Sequence, residues 1–180
     1  MNAPAIKPIE TVYKGHRFRS RLEARWAVWL DNIGWTWEYE PQGYDLGGGD
    51  LYLPDFKVSA PARRDYETDG PVFWLEIKAG KPSEDELRKA MKLAQQSGMS
   101  CLFGIGIPDP KDISHGLFGY DDDGQAVDAS IDSYCFHKWG RPGWFLYQDP
   151  DEEDFLACDA ARQARFEHGQ VGAPAQWRRA

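Results

Sequence analysis

From Ser20 to Ile33 the apolar side chains Leu22, Trp26, Trp29, Leu30 and Ile33 recur at helical spacing, which predicts an amphipathic helix lying on a core. Ser20 and Glu23 have the spacing of a capping box at its start, and Gly34 supplies the stop. Aromatic and polar residues then alternate from Trp35 to Glu40, the period of a half-buried strand, and Pro41 ends it. Three glycines within Leu46 to Asp50 predict a turn. Leu51 to Val58 and Val72 to Ala79 predict two more strands, joined by the polar link Ser59 to Pro71. A second capping box, Ser83 with Glu86, opens a helix that runs to about Ser97 and stops at Gly98, with the stripe Leu87, Ala90, Met91 and Ala94. Cys101 to Ile107 is almost wholly apolar, as a strand covered on both faces is. The order α-β-β-β-α-β predicts a mixed α/β fold, a central sheet flanked by helices.

Beyond Pro108 the pattern weakens. It predicts a hairpin around Asp121 to Gly124 within Leu117 to Phe136, a short strand at Trp144 to Tyr147, and a helix from Asp151 to His168. The acids of that helix fall in its first turn, and Arg162, Arg165 and His168 lie near its end, matching the helix dipole. The expected organisation is a core over residues 1–108 and an extension over 109–180 packed on it as one domain. The net charge of −8 argues against a general polyanion binder. Its distribution is uneven, however: residues 1–108 carry −1 and residues 109–180 carry −7. Within the neutral part Lys14, Arg17, Arg19, Arg21 and Arg25 crowd around one acid, Glu23, a local patch able to meet phosphates. A solvated helix entry accounts for the same cluster. No apolar run approaches the ~20 residues that span a bilayer, and Met1 to Glu10 lacks the apolar stretch of a secretory signal. Three widely spaced cysteines suggest reduced thiols, hence a cytoplasmic protein.

The candidate chemistry lies in Pro54-Asp55 on one strand and Glu76-Ile77-Lys78 on the next. Alternation along a strand places Glu76 and Lys78 on one face, with Ile77 pointing into the core. Two carboxylates on neighbouring strands suit a hard cation such as Mg²⁺ or Mn²⁺, and the Ile77 carbonyl can add a third ligand. A lysine beside them can orient or help deprotonate the attacking water, or stabilise charge growing on a phosphate. Charged groups in so apolar a strand, Phe73 to Lys78, demand partners. A Glu-x-Lys pair alone is better explained by a structural ion pair; Pro-Asp on the adjacent strand, with the flanking α-β…β-α order, reverses that preference.

The string Phe18-Arg19-Ser20-Arg21-Leu22-Glu23-Ala24-Arg25-Trp26-Ala27 resembles the first helix of one branch of the PD-(D/E)XK nucleases, which includes transposon end-cleaving endonucleases and small phage proteins. Trp37 to Pro41, Tyr52 to Phe56 and Trp74 to Lys78 are similar to its next three blocks, in the same order. The resemblance covers residues 13 to about 107 and implies a restriction-endonuclease-like fold, with a C-terminal extension ending in a helix. It implies a metal-dependent deoxyribonuclease of phage or mobile-element origin, with Asp55, Glu76, Lys78 and Glu23 catalytic and with Glu23 a further metal ligand. Glu23 has a competing assignment as a capping residue. Arg17, Arg19, Arg21 and Gln95 are the candidate DNA contacts. The alternative function is a nuclease-fold DNA- or protein-binding module, a decoy, inhibitor or partner-dependent subunit that does not cut alone. A homodimer or a partner protein is compatible with either. Ala161 to Gly169 is also similar to the phage proteins, without a role attached.

Overall fold

A computed structural model describes residues 9–59, 72–109, 117–129 and 152–166. The chain opens with a hairpin, β1 (Thr11–Tyr13) and β2 (His16–Phe18), that the apolar pattern did not predict. Its signal is the Lys14-Gly15 pair, both at positive φ, which makes the tight turn. Helix α1 (Arg21–Asn32) follows, capped by Ser20, then β3 (Thr36–Tyr39). A two-stranded ribbon, β4 (Tyr44–Asp45) and β5 (Leu51–Tyr52), precedes β6 (Phe56–Ser59) and β7 (Val72–Lys78). Helix α2 (Glu84–Ser97) ends at Gly98 in the left-handed conformation. After it come β8 (Cys101–Ile105), the hairpin β9 (Leu117–Tyr120) and β10 (Ala126–Ala129), and α3 (Glu152–Gln163).

The central sheet has six strands in the order β10-β9-β8-β7-β6-β3. Within it β7 and β8 run parallel, joined through α2, and the other pairs are antiparallel. The expected mixed α/β architecture is therefore present. Strand β7 is buried on both faces, and its alternation divides the core. Phe73, Leu75 and Ile77 pack with α1 and α3 on one side, while Trp74 packs with Leu93, Ala94 and Phe103 under α2 on the other. Ala157, Cys158, Ala160, Ala161 and Ala164 present small side chains to the first cluster, letting α3 approach α1 closely. Gly104 is required where α1 crosses β8, since a Cβ there would lie 2.7 Å from the Trp26 ring and 3.0 Å from Ile77. The Trp26 indole N–H is bonded to the Gly106 carbonyl at 2.9 Å.

Two expected elements differ. The strand expected over Leu51 to Val58 is broken at Leu53-Pro54-Asp55, because Pro54 has no N–H for a ladder. Asp55 uses its N–H on the Glu76 side chain and its carbonyl on the Glu40 N–H. The last helix stops at Gln163 rather than His168; Phe166 leaves it to pack edge-on against Tyr13, ring centroids 6.1 Å apart. The strand expected at Trp144 to Tyr147 and the residues His168 and Gly169 lie outside the described residues. Cys101 and Cys158 are both buried. Among the described residues no helix is long and apolar enough to cross a membrane.

Candidate active site

Asp55 sits in the break before β6 and Glu76 near the end of β7, one pair beyond the last β6–β7 rung, Phe56↔Leu75. That offset leaves the backbone of both segments free to bind side chains. The Asp55 Oδ2 accepts the Ile77 N–H at 2.8 Å, and the Glu76 Oε1 accepts the Asp55 N–H at 3.1 Å. The two acids thus lock each other to the opposite main chain, at 4% and 2% exposure. Ile77 directs its N–H toward Asp55, and in a strand the carbonyl of the same residue points to the same edge. Burial pushes both carboxyl groups upward. For Glu76 the nearby Asp55 adds to this; for Asp55 the Ile77 N–H opposes it and Glu23 adds to it. Ionised together in this place, the two carboxylates are costly without a cation beside them.

Lys78, two residues past Glu76 on the same face, holds its ammonium 3.6 Å from Glu76 Oε2 and 3.0 Å from Glu86 Oε1. Burial works against its charge, but Glu76, Glu86 and Asp55 outweigh it, and its pKa is raised. Glu86, the third residue of α2, closes a complete capping box with its other oxygen, accepting the Ser83 N–H at 2.8 Å. The N-terminus of α2 therefore positions Lys78.

Glu23 reaches the site from α1. Although Ser20 caps that helix, the Glu23 carboxylate does not return to the Ser20 N–H. Its Oε1 accepts the Ser20 hydroxyl at 2.7 Å and its Oε2 the Tyr39 hydroxyl at 2.5 Å. Tyr39 in turn accepts the Arg19 N–H at 3.0 Å. Glu23 is 8% exposed and acts on Asp55 through space.

Arg19 is inside the site rather than on a free basic face. Its Nη2 lies 2.6 Å from Asp55 Oδ1 and its Nε 2.6 Å from Glu40 Oε1. Glu40 holds a positive φ of 45° immediately before Pro41, a conformation rare for a side chain of its type. Of the remaining basic run, Lys14 pairs with Asp31, and Arg17 makes a loose 3.6 Å pair with Glu10 at the surface. Arg21 is half-buried at the first position of α1. Gln95 is not brought to the carboxylates. It lies nine residues along α2 from Glu86, about 13 Å of helix, and donates to the Asp123 carbonyl in the β9–β10 turn. Arg162 binds Asp109 and the Pro108 carbonyl, an anchor for α3.

Four residues beyond those singled out as site members line this cluster: Tyr39, Glu40, Tyr52 and Glu86. The buried Tyr52 hydroxyl faces Glu76 without an aligned hydrogen bond, and burial and that carboxylate hold its proton on. Each had a local signal. Glu40 ends its strand before Pro41, where it could line the same pocket though a structural hydrogen bond is the safer assignment, and Tyr39 stands beside it. Glu86 belongs to a capping box, and Tyr52 lies two residues before Pro54.

The donor set suits a hard cation. Asp55 and Glu76 offer only oxygen, in a place where their own charge is costly and a dication would relieve it. As arranged here, no three His, Cys, Asp or Glu side chains among the described residues are grouped to hold a metal ion, so the ligands at hand are these two carboxylates and the Ile77 carbonyl. A scan against models of known families, a search of curated proteins and a search of solved structures found no match to this chain.

Proposed function

We propose that this protein is a metal-dependent nuclease with a restriction-endonuclease-like core, hydrolysing DNA phosphodiester bonds at the Asp55–Glu76–Lys78 cluster. One observation carries the reading: two buried carboxylates each accept a backbone N–H from the facing segment, with a lysine held beside them by a third acid. A purely structural role for so many charges is costly, since well-packed apolar residues replace buried ion pairs at little or no loss. Asp55, Glu76 and the Ile77 carbonyl would hold Mg²⁺ or Mn²⁺, which supplies a more acidic water and a polarised phosphoryl oxygen. Lys78 remains an ammonium among its acids. It therefore orients the nucleophile and stabilises phosphate charge rather than accepting a proton. Glu23 fixes Tyr39 and adds its field at Asp55. Arg17 and Arg21, two residues to either side of Arg19 in the chain, are the candidates for phosphate contacts outside the reacting group.

One observation favours the alternative, a nuclease fold kept as a binding module: Arg19 already pairs with Asp55. Two measurements separate the readings. Mn²⁺ should raise the melting temperature, by about 2.7 kcal/mol of added stability at a hundred times its Kd, and Asp55→Asn should abolish the rise. Supercoiled, linear and branched DNA should be cut with Mg²⁺ or Mn²⁺ and not with EDTA. Lys78→Ala should slow cutting by ~10²–10³, the loss seen when one transition-state donor is removed. A wild-type protein that cuts none of the three DNA forms, with or without lysate of its host, belongs to the binding class.

A further inference from the structure

Arg19 occupies the side of Asp55 that an incoming cation must use. Asp55 Oδ2 is committed to the Ile77 N–H, so Oδ1 is the oxygen facing outward, and the Arg19 guanidinium holds it at 2.6 Å. The backbone beneath Arg19 is pinned by its N–H to Tyr39, yet the side chain is 56% exposed. Its Nε forms a separate 2.6 Å ion pair with Glu40 Oε1, without an aligned hydrogen bond, and Glu40 stands at positive φ before Pro41. The outer end of the guanidinium can therefore leave Asp55 while the inner end stays on Glu40. Around this point the carboxyl groups of Glu23, Glu40, Asp55 and Glu76 face two cations, Arg19 and Lys78. A dication arriving at Asp55 does not need Arg19 there, and like charges at that range repel.

We infer that Arg19 is the resident counter-cation of the site, and that a divalent metal ion binds by exchange with it, the guanidinium moving off Asp55 while tethered to Glu40. The inference rests on the metal-site reading above and adds a competitor to it. Arg19 is a positioning residue in this scheme: it holds Asp55 Oδ1 in place before the ion arrives, at the expense of affinity. Once displaced, its outer nitrogens stand beside the ion, placed to meet the phosphate that the ion draws in.

Calorimetric titration of Mn²⁺ into the full chain tests this without any activity measurement. Arg19→Met keeps the aliphatic stem and removes the competitor, so the Mn²⁺ Kd should fall about tenfold to a hundredfold, the scale of one charge-assisted hydrogen bond. Arg19→Lys places a single ammonium on a shorter reach and should fall between. It also carries the test if circular dichroism shows that Arg19→Met does not fold. Unchanged or weaker Mn²⁺ binding in the folded variants overturns the exchange. Asp55→Asn separates the two claims. If it binds Mn²⁺ as wild type does, the metal seat itself is misplaced. If it loses binding while Arg19→Met gains nothing, the seat stands and Arg19 is merely structural.

Discussion

Helices α1 and α2 begin with the same signature, a serine followed three residues later by glutamate, and they use the glutamate differently. Glu86 turns one oxygen back to the Ser83 N–H and hydroxyl and gives the other to Lys78. Glu23 leaves the Ser20 N–H alone, takes the Ser20 and Tyr39 hydroxyls, and faces Asp55. The surroundings decide. The start of α2 is exposed, so the reciprocal cap is the best offer available. At α1 the chain arrives from β2 beneath Tyr39, whose hydroxyl serves the preceding Arg19 N–H and draws the carboxylate inward. A cap motif thus specifies where a helix starts, and tertiary neighbours choose what its acid does.

The two glutamates should differ most in cleavage. Glu23→Gln keeps an acceptor for Ser20 and Tyr39 but removes the charge beside Asp55. We expect DNA cleavage to fall ten- to a hundredfold, with an apo melting temperature unchanged or higher, because a repulsive neighbour of Asp55 has gone. Glu86→Gln keeps the cap and weakens only the hold on Lys78, so its loss should stay below tenfold. Initial rates on supercoiled plasmid measure both. Equal losses would mean that the two glutamates differ in geometry but not in task.

The pairing of Pro54-Asp55 with Glu76 and Lys78 was legible because it depends on strand alternation and on two strands consecutive in sequence pairing directly. Its fine structure was not. The strand was expected to run through Pro54, and nothing local shows that Glu76 accepts the Asp55 N–H and Asp55 the Ile77 N–H at the break. Gln95 was placed near phosphate because it borders the apolar stripe of α2. Periodicity gives the face of a helix, not which end meets the site, and the β9–β10 turn that claims Gln95 is 28 residues away. Arg19 read as part of a surface patch for the same reason, since its partners Glu40 and Asp55 are distant in sequence. The missed hairpin β1–β2 is too short for an apolar period, and Lys14-Gly15 was its only marker.

Stability should separate the caps in the other direction. Ser83→Ala removes the acceptor for the Glu86 N–H and a donor to its carboxylate, and should cost about 1 kcal/mol, within the usual range for such caps. Ser20→Ala loses the acceptor for the Glu23 N–H and one donor to Glu23, but Tyr39 still holds that carboxylate. Its thermal cost should be no larger, while its cleavage should fall where that of Ser83→Ala does not. Urea midpoints at constant m-value read the first effect, and plasmid cleavage the second.

The smallest expected effect is a difference in the sign of pH dependence. The Ser83 N–H, with Lys78, holds the Glu86 carboxyl down to about 2. A group whose pKa is lowered on folding stabilises the protein above its unfolded value, near 4.3, and that contribution is lost as pH falls toward 2. Asp55 and Glu76 are shifted upward by burial, with Glu23 adding to it at Asp55 and Asp55 adding to it at Glu76. There the native state keeps protons that the unfolded chain releases near pH 4, so stability declines as pH rises from that point through the raised values. In chelator, the melting temperature of wild type relative to Asp55→Asn should therefore fall from pH 4.5 to 8, whereas relative to Glu86→Gln it should fall only on going below pH 4.5. Mn²⁺ should reverse the first trend, because it binds the deprotonated carboxylates and its stabilisation grows as they ionise. A wild-type minus Asp55→Asn difference that stays flat in chelator would show that Arg19 and the Ile77 N–H already neutralise Asp55 in full. It would then belong with Glu86 as a satisfied acid rather than with a site awaiting a cation.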